Sequence, residues 1–165
     1  MGYQRKNANG DLEYNPIGEV ISRRYGVPVI LENDLNAIAL GFGRCYLKAF
    51  PAERCQDLNM AYLHFDTDCL SAGFLSGGRI LRGWNNFVGE LGLFPFANGK
   101  TLDEVLATPL DDTAYSNLVA QLIAAVCCIL NPQYVVLGGT SFRKGCLPLI
   151  SECFNGILPS KMSAD

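Results

Sequence analysis

The sequence has few positive charges and never gathers them into a patch, which argues against a surface built to hold nucleic acid. The formal net charge is −3, and the densest basic spots are two pairs, Arg23-Arg24 and Arg143-Lys144. A domain that contacts DNA normally carries a basic face or a basic helix. We therefore expect no direct nucleic-acid contact by this chain.

Long apolar runs are also missing. No uninterrupted apolar stretch approaches the roughly 18 residues that a membrane-spanning helix needs, and residues 1–14 lack the apolar core of a signal peptide. The sequence therefore predicts a cytoplasmic protein with no membrane partner.

Metal-binding patterns are scarce as well. His64 is the only histidine, and the seven cysteines include no C-x-x-C pair. A zinc site of the usual spacing is therefore not expected. We interpret the thiols as buried and reduced, and His64, which lies in the apolar stretch AYLHF, as a structural residue.

What remains is the composition of a globular domain, with 49% apolar and 18% charged residues. Apolar periodicity and turn residues predict five helices, over residues 16–26, 34–43, 102–106, 113–130 and 146–154. They also predict strands over 27–31, 60–65, 72–75, 79–81 and 134–137, and leave 1–15 irregular. This order predicts an α/β domain, a mixed sheet covered by helices.

Three polar or glycine-rich segments lie at the ends of these elements. Glu32-Asn33-Asp34 opens a helix, where a carboxylate is positioned to accept a proton from a sugar hydroxyl or simply to cap the helix. Glu90 lies between glycines in the stretch 83–92, either close to a ligand or on a solvated turn. Gly138-Gly139 closes a strand, as a ligand platform or a plain turn.

Together these segments resemble the ROK family of repressors, open reading frames and sugar kinases, over roughly residues 15–150. VPVILENDLNAIALG resembles the family's strand-helix element, and AYLHFDTDCLSAGFLSGGRILRG its second phosphate loop and following hairpin. NNFVGELGL resembles its sugar-binding segment, and NPQYVVLGG its adenosine-proximal strand. The END-x-NA and GELG patterns at this spacing are specific in combination, although each alone is weak.

The resemblance implies the actin/hexokinase-like fold with its ribonuclease H-like motif: a mixed sheet flanked by helices, here as part of a two-lobed ROK fold. Residues 1–165 are then one ROK-like fragment, with about 1–45 ending the N-terminal lobe and about 46–165 forming the C-terminal lobe. It implies Asp34 as the catalytic base and Asn33, Asp34 and Glu90 as sugar ligands. The nucleotide-binding positions that it implies are Asp68, Gly73, Gly138 and Gly139.

Departures from the family pattern concern phosphate and zinc. The GTGIG-x-G loop reads TDCLSAG here, so that Thr67, Cys69 and Ser71 replace three glycines whose backbone amides cradle phosphate. Asp66 and Asp68 add negative charge that repels ATP. Leu93 stands at the family's zinc-binding and sugar-binding histidine, and the cysteine-rich zinc motif is absent from the following PFANGKTLDEV. We expect no zinc and no other metal.

These features predict a sugar-sensing domain of a ROK-type transcriptional regulator, kinase-like but without phosphoryl transfer. Its partners are expected to be a small sugar and a second copy in a homodimer, with no cofactor. Two alternatives stay open. One is a fragment of an ATP-dependent hexose kinase, of glucokinase or N-acetylhexosamine kinase type, which requires ATP and Mg. The other is an oligomeric scaffold that binds no ligand.

Overall fold

A computed structural model describes residues 3–6, 12–49, 57–67 and 69–157 of the 165-residue chain. The chain divides into two compact units, Met1–Asp34 and Leu35–Asp165.

The first unit contains a β-hairpin and a helix. Strands β1 (Tyr3–Lys6) and β2 (Leu12–Asn15) pair antiparallel, followed by helix α1 (Ile17–Tyr25). The hairpin was not predicted, because β1 (YQRK) does not alternate apolar and polar residues and the alternation in β2 (LEYN) spans only four residues. The residues between the two strands lie outside the described ranges. The end of α1 is confirmed: Gly26 adopts φ 67°, and its N–H donates to the Ser22 carbonyl over 2.9 Å.

The prediction of a buried strand over residues 27–31 is wrong. The segment has no strand pairing among the described residues of this unit, and Ile30 is 91% exposed. A strand exists only where its backbone groups bond to a neighbouring strand. A short apolar run therefore marks strand propensity without ensuring that a partner lies beside it.

The second unit is built on a four-stranded mixed sheet. Its strands are β3 (Met60–Phe65), β4 (Leu70–Ser76), β5 (Arg79–Ile80) and β8 (Tyr134–Gly138), in the order β5-β4-β3-β8. β4 runs antiparallel to both β3 and β5, whereas β3 and β8 are parallel. The predicted α/β class is confirmed. The turn between β4 and β5 is made by Gly77 and Gly78, whose φ values are 55° and 69°.

A small hairpin and four helices complete this part of the chain. Strands β6 (Pro95–Ala97) and β7 (Lys100–Thr101) pair through an Asn98-Gly99 turn; this hairpin was not predicted, although Asn-Gly is a hairpin signal. The helices are α2 (Asp34–Ala49), α3 (Leu102–Leu106), α4 (Asp112–Leu130) and α5 (Leu147–Ile157). α2 continues beyond residue 43, where the predicted helix ended. The lobe boundary near residue 45 stays a prediction.

Helices cover both faces of the sheet, and the core lies between the layers. On one face, Leu63 of β3 and Val119 of α4 are completely buried in the larger apolar cluster. On the other face, α2 packs so closely that a methyl group on Gly73 would overlap the Leu35 carbonyl oxygen. By length and composition alone α4 could cross a membrane, but half of it is buried within the protein, as in the core helix of a soluble protein.

Candidate functional site

Asn33 and Asp34 lie where α2 begins. The Asn33 N–H donates to the Glu32 side chain over 3.1 Å, and Asp34 is the first residue of the helix. A carboxylate in the first turn is stabilised by the exposed amides and positive dipole end of a helix. This explains Asp34 as a helix-start residue, and its role as a base stays a prediction.

Asn36 was not singled out from the sequence. It lies in α2 and is only 4% exposed, one of two buried polar side chains among the described residues. Polar groups are buried in proteins where they have hydrogen-bond partners. The sequence signal was its place in the END-x-NA pattern, three residues before Ala39, a spacing that puts both residues on the inward face of α2.

The GELG segment closes part of the free edge of β4. Ala72 donates its N–H to the Gly89 carbonyl over 2.8 Å. Further along β4, Leu81, which follows β5, donates its N–H to the Phe74 carbonyl over 2.9 Å. Gly89 has φ 104°, and a methyl group there would overlap the Ala72 carbonyl oxygen. Gly92 is buried against the carboxylate of Asp103 in the same way. Both glycines therefore allow close packing of the segment against the sheet.

Glu90 lies between these two packed glycines but is itself exposed. It precedes a short 3-10 helix over Leu91–Leu93, and its N–H makes a long, 3.4 Å bond to the Phe87 carbonyl. The backbone on both sides is fixed, while the carboxylate faces water. A carboxylate held this way can accept hydrogen bonds from vicinal hydroxyl groups.

The turn between β3 and β4, at the predicted second phosphate loop, uses its own backbone amides internally. Asp66 N–H donates to the Cys69 carbonyl over 3.0 Å, and Thr67 N–H to the Asp66 carboxylate over 2.8 Å. Leu70 N–H donates to the Asp103 carboxylate over 2.8 Å. These three amides are thus already occupied. Asp68 lies outside the described residues.

Asp66 is held in its charged form. The Thr140 hydroxyl donates to its carboxylate, and this bond, with that from the Thr67 N–H, lowers the pKa of Asp66 below its usual value. Beside the turn is a cavity of about 260 Å³, lined by Asp66, Thr67, Cys69, Asp103, Glu104, Leu106 and Ala107. Three carboxylates around one cavity give it a negative potential, which repels phosphate.

Gly138 and Gly139 pack against the end of β3. The Tyr62 hydroxyl occupies the space where a side chain of Gly138 would be, and a methyl group on Gly139, at φ 106°, would overlap the Phe65 carbonyl oxygen. Ser141 N–H donates to that same carbonyl over 3.0 Å. The structure therefore brings the double glycine next to Asp66, through Thr140. Gly73 lies apart from them, in the middle of β4 beneath α2.

The residues at the family's zinc position do not fit a metal. Leu93 is more than half exposed and has no ligating atom. Across the described ranges, no group of three His, Cys, Asp or Glu side chains is arranged to hold an ion. His64 lies in β3, stacked 6.1 Å from the Tyr62 ring, with a buried Nδ1 that has no hydrogen-bond partner among the described residues.

Sequence comparisons give no match, either to the profile of a protein family or to a curated protein. Solved structures do match. A ROK hexokinase from Thermus thermophilus is 21% identical with a TM-score of 0.59, over 85% of this chain and 59% of its own. A ROK family transcriptional regulator, a homolog of the E. coli Mlc protein, is 21% identical with a TM-score of 0.70, over 95% and 51%.

A third similar structure is a ROK family glucokinase from Streptomyces griseus in complex with glucose and AMPPNP, 17% identical with a TM-score of 0.61, over 93% and 68%. The chain thus spans between about half and two thirds of these solved proteins. Kinases and a regulator share one architecture with it, a mixed sheet flanked by helices. The chain therefore has the fold of the part of these ROK proteins that it matches.

Proposed function

We propose that the chain is the sugar-sensing part of a cytoplasmic ROK-type transcriptional regulator and transfers no phosphoryl group. The observation that carries this proposal is the state of the β3–β4 turn. A phosphate cradle needs backbone N–H groups that are free to bond to oxygen. Here the amides of Asp66, Thr67 and Leu70 already bond to acceptors within the protein.

The charge at this turn supports the same proposal. Asp66, with its lowered pKa, is ionised at neutral pH and accepts from Thr140 next to the double glycine. In ROK kinases the triphosphate of ATP lies near this turn, and its charge would meet like charges here. Phosphoryl transfer depends almost entirely on holding the donor in position.

The sugar side keeps groups that suit hydroxyl recognition. Glu90 is exposed on a rigid segment, and by resemblance it is a sugar ligand. Asn33 and Asp34, at the start of α2, match the family's other sugar ligands, and Asp34 its catalytic base. A second candidate is a fragment of an ATP-dependent sugar kinase. Two observations support it, namely the presence of Asp34 and the likeness to a glucokinase structure.

Thermal unfolding with a panel of hexoses and N-acetylhexosamines, each with and without Mg-ATP, tests the proposal. A ligand that binds only the folded state stabilises it, by about 2.7 kcal/mol at one hundred times its Kd. We expect stabilisation by a sugar and no additional effect of Mg-ATP. Stabilisation by Mg-ATP alone would support the kinase instead.

Variants connect that result to particular residues. Glu90→Gln and, in a separate protein, Asp34→Asn should reduce the sugar-induced stabilisation, since a neutral amide accepts hydrogen bonds less strongly than a carboxylate. Glu152→Gln, which changes an exposed carboxylate on α5, is the matched control and should respond like the unmodified protein. Equal responses from all four proteins would exclude both residues as sugar ligands.

A further inference from the structure

The loop just before Glu90 exposes two aromatic rings. Its ends meet at Gly83 and Val88, since a Cβ on Gly83 would lie 2.7 Å from a Val88 methyl group. Trp84 and Phe87 lie between these ends; Trp84 is fully exposed and Phe87 is 60% exposed. Exposing a large apolar ring to water is unfavourable, so two exposed aromatic rings on one closed loop make a candidate binding surface.

Phe87 and Glu90 are the first and last residues of one tight turn. The Glu90 N–H bonds to the Phe87 carbonyl over 3.4 Å, and the ends of such a turn lie within about 7 Å of each other. A single pyranose ring can therefore contact both side chains. Its hydroxyl edge suits the carboxylate, and its C–H face suits an aromatic ring.

Trp84 extends this surface beyond the reach of one sugar ring. It is three residues further from Glu90 than Phe87, on the same closed loop, and its entire side chain is exposed. A monosaccharide held between Phe87 and Glu90 leaves the indole in contact with water. A second ring linked to the first can cover it.

We propose that Phe87 and Trp84 form a stacking platform for a glycoside of at least two pyranose rings, with one ring on Phe87 and Glu90 and the next on Trp84. The proposal rests on the proposed function, in which Glu90 binds sugar. Polar groups interleave with the two rings, namely the amides of Asn85 and Asn86 and the Glu90 carboxylate. Such mixing suits a ligand with both hydroxyl groups and C–H faces better than an apolar protein surface.

The experiment uses the fact that Trp84 is the only tryptophan in the chain, so that fluorescence excited at a wavelength that tyrosine does not absorb reports on this position alone. The probes are glucose, maltose, cellobiose and N,N′-diacetylchitobiose. We expect at least one disaccharide to change the emission saturably and to bind more tightly than its monosaccharide. By calorimetry, Trp84→Ala should weaken that disaccharide roughly three- to tenfold, the range of one aromatic contact, and leave the monosaccharide unchanged.

Ile129→Ala is the matched control, because Ile129 is an exposed apolar residue on α4, outside this loop. If sugars bind but Trp84→Ala leaves every affinity unchanged, the platform is wrong and the proposed function stands. If no sugar binds in calorimetry, the proposed function fails and the platform fails with it. Emission that shifts with protein concentration in the absence of sugar would show that a second copy covers Trp84, which also overturns the proposal.

Discussion

Two segments flank the start of β4, and they differ in how they use glycine. The β3–β4 turn lacks the glycines of the ROK phosphate loop, and it uses its amides and the Asp66 carboxylate for internal hydrogen bonds. The segment over residues 87–92 has kept Gly89 and Gly92, and both are packed against the protein. The β3–β4 turn departs from the family pattern and the segment over residues 87–92 matches it, yet both are attached to β4, the turn by the chain itself and the segment by the hydrogen bond from Ala72 to Gly89.

The comparison shows that a retained glycine is not in itself a sign of a ligand. At Gly89, Gly92 and Gly139, the space that a side chain needs is filled by a carbonyl or carboxylate oxygen of this protein. Packing alone therefore explains why these positions exclude larger residues. Glu90 is the residue of this segment that suits sugar binding, because it is exposed and packing does not require a carboxylate there.

Among the variants that test this comparison, Gly89→Ala is expected to lower the free energy of unfolding the most. The residue has φ 104°, where side chains are strained, and the new methyl group would overlap the Ala72 carbonyl oxygen. We expect a loss of about 3 kcal/mol or more in the free energy of unfolding, measured by urea denaturation.

Gly99→Ala is the control for backbone strain alone. Gly99 also has positive φ, 74°, but nothing lies within 4 Å of the position of a Cβ there. It should cost about 1 kcal/mol. Equal losses for the two variants would mean that Gly89 is retained for its conformation and not for its packing against β4.

Strands and helices could be predicted from the sequence where the local pattern matched the contacts that each element makes in the folded protein. The predicted strand over residues 60–65 and the short helix over 102–106 have the observed bounds, and α4 begins one residue earlier than predicted. The strand over 27–31 failed because its apolar run carries no information about a partner. The Asn98-Gly99 hairpin was missed although its turn signal was present.

The chemical state of the candidate site was harder to predict. The sequence indicated that the phosphate loop had changed, but not that Thr140, 74 residues beyond Asp66, donates to its carboxylate. Nor could it show that the Asp103 carboxylate contacts both Leu70, at the end of the turn, and Gly92, in the other segment. Such contacts depend on which loops the sheet order brings together, and spacing along the chain does not encode that order.

Asp103 joins the two segments, and its removal should have the next largest effect. Its carboxylate accepts from the Leu70 N–H at the end of the turn and lies against Gly92 of the other segment. Asp103→Ala leaves that amide without its acceptor and should cost about 1–3 kcal/mol in urea denaturation. Asp103→Asn keeps an acceptor oxygen and should lower the free energy of unfolding by less. An equal loss for the two variants would mean that the charge of Asp103, and not its acceptor oxygen, stabilises the protein.

The smallest effect concerns pH. Because the pKa of Asp66 is lowered in the folded protein, the stability it contributes is complete above the unfolded pKa of about 3.8 and is lost as the pH falls through the folded value. Thr140→Val removes the main cause, so the pKa of Asp66 should rise toward 3.8, as measured by carboxyl carbon NMR. The difference in unfolding free energy between the two proteins should be constant from neutral pH to about pH 5 and shrink below pH 4.

In an Asp66→Asn background the same substitution should have an effect independent of pH. A difference that persists unchanged to pH 3 would mean that Thr140 acts through packing, and that the carboxylate at the turn is not fixed by this hydrogen bond.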